Sequence, residues 1–463
     1  MTRFFRVFVP ATAVVLLVSE ILLITSAFIL AVYLALDVDP WVNLVYDGGM
    51  MHLIPVLLTI LVGMHLNDLY SQYYVKSRIV LLQQLCLVMG GALLMQGLLS
   101  YLSPDLRVSA RVMAVGSGLA VVAIYCWRVL FSTFAIDMIG RERLLLVGGS
   151  PLLEDIAGHL EAHPELGLEV TGYIDDAHQP GELLRGGKVL GSLPDLKEIV
   201  QATQPSRVVV GMSERRQRMP VADLLELRFS GHIIEEAATA FERVCGRVCL
   251  KELRPSQLIY SGELGPRPQS LLVHTVLNRL AGAGCLILAS PLMALTALAV
   301  RLSSPGPILY RQVRVGMDDV LFTVYKFRSM RADAEATTGA VWAAKDDTRV
   351  TKVGKIIRKL RFDELPQLFN TLRGDMSIVG PRPERPEFVR ELSQKIPYYR
   401  QRHCVRPGIT GWAQVNFRYG ETMEDTMTKL EYDLYYIKNM SLSLDTYIIF
   451  HTVKTMLLSR GAQ

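Results

Sequence analysis

Four long apolar runs between residues 11 and 134 limit what this chain can fold into. Most of them reach the roughly 20 residues that an α-helix needs to cross the hydrocarbon core of a bilayer. The first run is too long for a cleaved signal peptide, and further apolar runs follow it. We therefore predict four transmembrane helices within residues 1–138. The runs are Ala11–Leu36, Met51–Leu66, Ile79–Leu102 and Val112–Phe134.

Charges in the loops between these runs predict the orientation of the helices. Lys and Arg collect on the cytoplasmic side of membrane proteins. They precede the first run and follow the second and the fourth, whereas the first outer loop holds Asp residues and no Lys or Arg. The second outer loop is less clear because it contains Arg107 and Arg111. We expect both ends of this four-helix transmembrane bundle to face the cytoplasm.

One carboxylate, Glu20, falls inside the first apolar run. An ionisable group at that depth can mark a proton or ion site. We favour a protonated or helix-bonded carboxyl near the interface, because no other apolar run offers an obvious charged partner.

Residues 139–262 alternate between short apolar strands and helical stretches, as α/β domains do. The strand Leu144–Val147 leads into Gly148–Ser150 and then into a helical stretch, Pro151–His163. Strand, glycine turn and helix in this order predict a parallel, Rossmann-like sheet. The turn lacks the third glycine of the dinucleotide fingerprint, so a structural or regulatory domain explains it at least as well as nucleotide binding.

A fifth apolar run, Leu280–Val300, contains Ser290 and Pro291 near its middle. A complete span would carry the following Lys/Arg-rich residues to the outer side, against the usual charge distribution. Pro291 removes a backbone hydrogen bond, and the Ser290 hydroxyl can satisfy a carbonyl that is freed. We therefore predict that residues 272–302 form a re-entrant membrane helix that breaks at Ser290 and Pro291. A kinked but complete span is the alternative.

Composition and charge narrow the class of protein further. Half of the residues are hydrophobic, 20% are charged and the mean hydropathy is +0.28, which excludes a wholly soluble enzyme. Six scattered Cys residues exclude a disulfide scaffold. Between Ser303 and Gly420 there are 21 Lys/Arg against 12 Asp/Glu, which indicates phosphate groups nearby. No DNA- or RNA-binding motif accompanies this excess, so we expect no nucleic-acid partner.

The adjacent carboxylates Asp363 and Glu364 are the strongest candidates for chemistry. An apolar stripe with helical spacing follows between Leu365 and Leu372, so capping of a helix N-terminus is their simplest role. The arginines and lysines on both sides favour another role. Carboxylates bind Mg²⁺ together with substrate phosphates, arginine binds phosphate, and a carboxylate can attack phosphorus. These residue types together predict metal-assisted phosphoryl transfer at a membrane surface.

The segment from Asp363 through Gly380-Pro-Arg-Pro383 resembles the bacterial sugar transferases, which are monotopic phosphoglycosyl transferases. Arg382–Pro386 and Tyr432–Tyr436 are most similar to the exosortase-associated branch of the large members that initiate exopolysaccharide or O-antigen synthesis. The resemblance implies transfer of a sugar-1-phosphate from a UDP-sugar to undecaprenyl phosphate, with release of UMP. It places a mainly α-helical catalytic domain, residues 303–463, on the cytoplasmic face of the bacterial inner membrane. A homodimer is compatible with it.

The resemblance also implies roles for single residues. Asp363 would be the nucleophile that forms a covalent phosphosugar intermediate, and Glu364 would hold Mg²⁺ together with Asp363. The side chains implied in binding the substrate are Lys326, Arg328, Arg358 and Arg382. We add Arg406 because it stands in an Arg-Pro-Gly turn, where a surface arginine is an equally good explanation.

Two functions of other classes compete with this one. An oxidoreductase or dehydratase acting on nucleotide sugars would use the α/β region. It would need a complete glycine fingerprint and a Tyr-x-x-x-Lys or similar base, and the sequence has neither. A non-enzymatic scaffold for polysaccharide export would leave the acidic pair and its arginines unexplained. Release of UMP from a UDP-sugar distinguishes the transferase from both.

Overall fold

The computed structural model of the chain describes residues 2–4, 7–9, 11–36, 39–67, 69–70, 78–103, 107–132, 142–212, 219–250, 268–331, 349–417 and 422–457. Their packing divides them into two compact units, with the boundary between Ala240 and Phe241 apart from a few N-terminal residues. The first unit contains the N-terminal helices and a mixed sheet. The second contains the fifth apolar run and the acidic pair.

The N-terminal helices of the first unit are long and apolar. Two short strands, β1 Thr2–Phe4 and β2 Val7–Val9, are followed by α1 Ala11–Ala35, α2 Gly49–Leu66, α3 Arg78–Leu102 and α4 Ala110–Leu130. Each of these helices is long and apolar enough to cross a membrane. All four contribute to one hydrophobic cluster, in which Phe28, Ile60, Leu85 and Ile124 are buried. The predicted membrane character of this region is confirmed.

The expectation that Glu20 lacks a charged partner is wrong. Its carboxylate on α1 accepts hydrogen bonds from Arg128 on α4, from Nε at 2.6 Å and from Nη2 at 3.3 Å, and both side chains are buried. Arg128 Nη1 also donates to the carbonyl of Leu69 at 2.7 Å. Sequence spacing gives no sign of this pairing because the two residues are 108 positions apart. The ion pair therefore joins the first of these helices to the last.

Removing one member of this ion pair should destabilise the protein more than removing both. Arg128→Met leaves a buried carboxylate without its cation, and we expect a loss of about 3–5 kcal/mol in the free energy of unfolding. Glu20→Leu combined with Arg128→Met should recover most of that loss, because apolar side chains then replace the whole pair. Thermal unfolding of the full chain in detergent micelles measures both variants. If the double variant unfolds at the same temperature as Arg128→Met or at a lower one, the result would contradict the pairing.

The rest of the first unit is a mixed sheet with helices. Its strands are β3 Glu142–Val147, β4 Leu168–Ile174, β5 Leu183–Leu184, β6 Gly187–Gly191, β7 Arg207–Val210 and β8 Ile233–Glu236, in the spatial order β5-β6-β4-β3-β7-β8. β5 pairs antiparallel with β6, and the other described pairs are parallel. Its helices are α5 Pro151–Ala162, α6 Leu196–Thr203 and α7 Val221–Phe229. The predicted α/β character is confirmed.

The second unit is built mainly of helices. After α8 Ala237–Cys245, which crosses the boundary in sequence, they are α9 Pro268–Ser303, α10 Lys352–Lys359, α11 Gln367–Arg373, α12 Pro386–Lys395, α13 Trp412–Asn416, α14 Met423–Asn439 and α15 Leu442–Leu457. Strands β9 Leu309–Val315 and β10 Leu321–Phe327 form an antiparallel hairpin. Strands β11 Ser377–Val379 and β12 Gly408–Thr410 pair in parallel.

Helix α9 continues through Pro291 without an unwound residue, so the predicted break is not a gap in the helix. Pro291 has no N–H to donate to the carbonyl of Ile287, the residue four positions earlier. The Ser290 hydroxyl donates to that carbonyl at 2.8 Å instead. The predicted compensation by Ser290 is therefore confirmed.

Candidate active site

The acidic pair lies in a tight 3₁₀ turn, Phe362–Glu364, between α10 and α11. Arg361 before it has a φ of 56°, a left-handed conformation that is costly for a residue with a Cβ. Helix α11 begins at Gln367, and among the described side chains none caps it. Capping, the simpler of the two roles considered for Asp363, is therefore not observed at this helix. The N–H groups of Leu368 and Phe369 already donate to carbonyls of the preceding turn, so the helix does not need that cap.

The buried face of α11 is largely polar, in contrast to the predicted apolar stripe. Asn370 and Thr371 are fully buried, whereas Phe369 is 45% exposed. Asn370 Nδ2 donates to Thr323 O at 2.7 Å, and Asn370 Oδ1 accepts from Tyr325 N at 3.2 Å. These bonds tie α11 to β10. Sequence reasoning missed Asn370, for which the only signal is a lone amide within an apolar helical stretch.

Among the described residues, three basic side chains from different segments surround the buried carboxylate of Glu364. Lys326 Nζ on β10 lies 3.1 Å from Glu364 Oε1, and Arg382 Nη2 lies 2.5 Å from the same oxygen. Arg361 Nη1 lies 3.7 Å from Glu364 Oε2. A buried carboxylate is expensive unless cations and hydrogen-bond donors replace its water. These cations meet that requirement for Glu364.

Burial and neighbouring charges shift the two carboxyl groups in opposite directions. Burial alone would raise the pKa of Glu364, but Arg382 and Lys326 outweigh it and hold this pKa well below its usual range. Burial and the charge of Glu364 raise the pKa of Asp363 to about 6, although nearby cations oppose the shift. Burial also lowers the pKa of Lys326. Adjacent carboxyls with opposite shifts are typical of sites where one group reacts and the other holds charge.

Arg358, near the end of α10, affects the acidic pair through its charge. A Cβ on Gly354, one turn earlier, would lie 1.9 Å from Ser329 O, so glycine is needed for this close approach. The approach lets Arg358 Nε donate to Ser329 Oγ at 3.0 Å. The charge of Arg358 lowers the pKa of Asp363, opposing the effect of burial. The predicted grouping of Arg358 with Asp363 therefore has an electrostatic basis in the structure.

Three glycines allow the turn that carries Arg382 to pack against β12 and the residues around it. A Cβ on Gly380 would lie 2.4 Å from Arg406 O, and a Cβ on Gly408 would lie 2.1 Å from Gly380 N. A Cβ on Gly411 would lie 2.3 Å from Gly380 O. All three distances are far below van der Waals contact. The Gly-Pro-Arg-Pro and Arg-Pro-Gly-Ile-Thr-Gly motifs therefore form one packed unit.

The structure gives Arg328 a different set of contacts from the one predicted. Arg328 is buried and donates to the carbonyls of Val300, Ser304 and Pro305 at the C-terminal end of α9. A cation is favourable there because the last carbonyls of a helix lack partners. No described contact joins Arg328 to Glu364, so its contact with substrate stays a prediction.

Arg406 also binds backbone and hydroxyl oxygens in the described part of the chain. Its Nε donates to Gly374 O at 2.8 Å, and its Nη1 donates to Thr275 Oγ1 on α9. These bonds connect the end of α11 to α9. The predicted phosphate contact of Arg406 stays untested, and its observed contacts serve packing.

The acidic pair suits Mg²⁺ chemically. This ion binds one or two carboxylates and completes its shell with substrate phosphates and water. Glu364 Oε1 is occupied by Lys326 and Arg382, whereas Oε2 has a cation at 3.7 Å and retains capacity for a metal. Asp363 would supply the second carboxylate. Within the described ranges no group of three or more His, Cys, Asp or Glu is placed to form a metal cage from protein alone.

Similarity to known proteins covers both units. Residues 269–459 match the bacterial sugar transferase family, and residues 65–226 match a CoA-binding domain family. The chain is 34% identical over 337 residues to the UDP-glucose:undecaprenyl-phosphate glucose-1-phosphate transferase of Xanthomonas campestris pv. campestris. The aligned region covers 69% of the chain and 68% of the relative. The chain belongs to the bacterial sugar transferase family. Its membership confirms the predicted transferase class over the two alternatives.

Two further members of the family differ in the sugar that their names specify. The Escherichia coli (strain K12) UDP-glucose:undecaprenyl-phosphate glucose-1-phosphate transferase is 36% identical over 328 residues, covering 68% of the chain and 67% of the relative. The Aeromonas hydrophila UDP-N-acetylgalactosamine-undecaprenyl-phosphate N-acetylgalactosaminephosphotransferase is 49% identical over 222 residues, which is 48% of the chain. The chain spans about half the length of this relative, 52%. The bacterial sugar transferase match includes α9 and the whole cluster around Glu364.

Asp363→Asn should make the folded protein more stable at alkaline pH. The pKa of Asp363 is higher in the folded chain than in an unfolded one, so ionisation disfavours the fold as pH rises through about 6. Asparagine has no charge to bury. We expect the unfolding midpoint of Asp363→Asn in detergent micelles to be a few degrees above that of the wild-type chain at about pH 8. The difference should vanish at about pH 4.

Glu387→Gln is the matched control for this measurement, because Glu387 is an exposed carboxyl on α12. It should leave the unfolding midpoint nearly unchanged at both pH values. A midpoint for Asp363→Asn that is equal or lower at pH 8 would show that Asp363 carries no buried charge.

Proposed function

We propose that this protein transfers a sugar-1-phosphate from a UDP-sugar to undecaprenyl phosphate and releases UMP, as the first membrane step of exopolysaccharide synthesis. The observation that carries the proposal is the pairing of Asp363, with its raised pKa, and Glu364, held ionised by Lys326 and Arg382. The names of the relatives support the two substrate classes. They leave glucose and N-acetylgalactosamine as the first sugars to test.

In the first half-reaction, a carboxylate oxygen of Asp363 attacks the phosphorus that bears the sugar. The new bond joins this oxygen to phosphorus, the phosphoanhydride bond breaks, and UMP leaves with the electron pair. Lys326, Arg358 and Arg382 provide positive charge where negative charge develops on the phosphoryl oxygens. When bound, Mg²⁺ would neutralise further phosphate charge, and Asp363 and Glu364 would hold it.

In the second half-reaction, a phosphate oxygen of undecaprenyl phosphate attacks the same phosphorus. The bond to Asp363 breaks, its carboxylate is restored, and the lipid carries the sugar through a diphosphate link. One site must therefore bind two phosphate-bearing substrates in turn. The excess of Lys and Arg between Ser303 and Gly420 suits that task.

The proposal includes a membrane topology. α1 to α4 would form a four-helix transmembrane bundle with both ends in the cytoplasm, and the mixed sheet would be a Rossmann-like domain there. α9 would enter the membrane, bend at Pro291 and leave by the same face. Two contacts support this: Gly282 near the N-terminal half of α9 packs on Thr371, and Val300 at the other end packs with Phe327. The middle of α9 is exposed, as lipid contact requires, with Leu288 83% accessible.

Release of UMP tests the reaction directly. Full-length protein in membranes, incubated with UDP-glucose or UDP-N-acetylgalactosamine, Mg²⁺ and undecaprenyl phosphate, should form UMP. It should also exchange labelled UMP into the UDP-sugar without any lipid, because the first half-reaction needs none. Asp363→Asn should lower both rates by about 10³-fold or more, since the nucleophile is lost.

Glu387→Gln again serves as the control and should retain both rates. Release of UDP instead of UMP would contradict sugar-1-phosphate transfer. UMP release without exchange would contradict the covalent intermediate and favour direct attack by the lipid phosphate.

Labelling of single cysteines tests the topology of α9. In a variant without the six natural Cys residues, Val276→Cys and Leu302→Cys each place a thiol on an exposed position near one end of the helix. Both should react with a membrane-impermeant maleimide in inside-out vesicles only. Tyr46→Cys, in the loop after α1, is the control and should react in right-side-out vesicles only. Reaction of Val276→Cys and Leu302→Cys from opposite sides would mean that α9 spans the membrane.

A further inference from the structure

The turn that presents Arg382 is held at four consecutive carbonyl groups. Pro381 O, Arg382 O, Pro383 O and Glu384 O accept hydrogen bonds of 2.8–3.0 Å from Gly408 N, Arg402 Nη2, Arg314 Nη1 and Val315 N, in that order. Two of the turn residues are prolines, which have no N–H with which to brace the turn. Its shape therefore depends on donors that reach it from other segments, and two of these donors are arginine side chains.

Arg402 is the more deeply buried of these two arginines, with 8% of its side chain accessible. Its Nη2 lies 2.8 Å from Asp433 Oδ2, and its Nη1 donates to the Tyr399 hydroxyl at 2.7 Å. The guanidinium also lies 5.2 Å from the centre of the Tyr399 ring. A buried cation is costly unless it is paired, and Asp433 is itself buried. Both terminal nitrogens of the guanidinium are thus engaged inside the protein, and the group is not placed to touch a substrate.

The same nitrogen of Arg402, Nη2, contacts both Asp433 and the carbonyl of Arg382. Asp433 lies on α14, within the Tyr432–Tyr436 motif. No described contact joins this motif directly to Glu364. Arg382 in turn reaches Glu364 with its own guanidinium at 2.5 Å. A continuous chain of polar contacts therefore leads from α14 to the acidic pair.

We propose that Arg402 is a positioning residue for phosphoryl transfer: by holding the carbonyl of Arg382, it keeps the Arg382 guanidinium against Glu364 and beside Asp363. Asp433 and Tyr399 fix Arg402 in that orientation. This inference rests on the proposed function, in which Arg382 neutralises charge on the transferred phosphoryl group. A displacement of about 1 Å at such a group can lower the rate about 10²-fold.

A double-mutant cycle tests this inference with the full-length enzyme in membranes. Arg402→Lys keeps the charge but cannot bond Asp433, Tyr399 and Arg382 O at once. We expect it to lower kcat about 10- to 100-fold, with KM for the UDP-sugar within about threefold. In the Arg382→Ala background the same substitution should change kcat by less than about twofold, because there is no guanidinium left to position.

Asp433→Asn is the second variant. It is nearly isosteric, and its effect should likewise vanish in the Arg382→Ala background. Arg400→Lys is the matched control, because Arg400 is two residues away and its side chain is 66% accessible. It should leave kcat within about twofold in both backgrounds.

The outcomes separate this inference from the proposed function. Wild-type protein that releases no UMP from either UDP-sugar would overturn the proposed function and this inference with it. Wild-type turnover combined with equal losses from Arg402→Lys in both backgrounds would overturn only the inference, because impaired folding lowers the active fraction equally in each. The same equal loss from Asp433→Asn would overturn it when Arg402→Lys fails to fold.

Discussion

The burial of Glu364 among cations is the constraint on which the second unit depends. A carboxylate with so little access to water remains ionised only when positive charge is brought to it, and that charge comes from separate segments. β10 delivers Lys326, and the turn after β11 delivers Arg382. Each segment needs its own support, which Asn370 and the packed glycines provide. The cations are therefore in place beside Asp363 before any phosphate arrives, and little reorganisation remains for the reaction.

The residue types that carry the chemistry could be predicted from the sequence. Asp363 and Glu364 stand out as adjacent carboxylates flanked by basic residues, and the family resemblance pointed to Lys326, Arg358 and Arg382. The hydrogen bond from Ser290 to the Ile287 carbonyl could also be predicted, because it depends only on helix geometry over one turn. Family membership followed from the order of these motifs along the chain. Each of these predictions depends on residues that are close together in the sequence or on the order of motifs along it.

Contacts between residues far apart in the chain could not be predicted from the sequence. Glu20 and Arg128 pair across 108 positions, and hydropathy hides the arginine inside an apolar run. The resemblance implied that Arg328 contacts the substrate, and it gave no sign that its guanidinium also binds the carbonyls at a helix end. The period of α11 predicted a buried stripe and could not show that Phe369 faces outwards while Asn370 faces β10. In each case the chemical group was recognised and its partner was not.

The attachment of both halves of α9 to the segments around the acidic pair has a kinetic consequence under the proposed function. Thr275 and Gly282 are tied to the segment around α11, and Val300 is tied to β10 and α10. With α9 in the membrane, as proposed, this fixes the depth of Asp363 relative to the lipid. A lipid-borne acceptor then needs to search only the two dimensions of the bilayer plane, whereas the nucleotide sugar diffuses through three. Encounter with the acceptor would therefore depend on its surface density and on membrane viscosity, and encounter with the donor on its concentration in water.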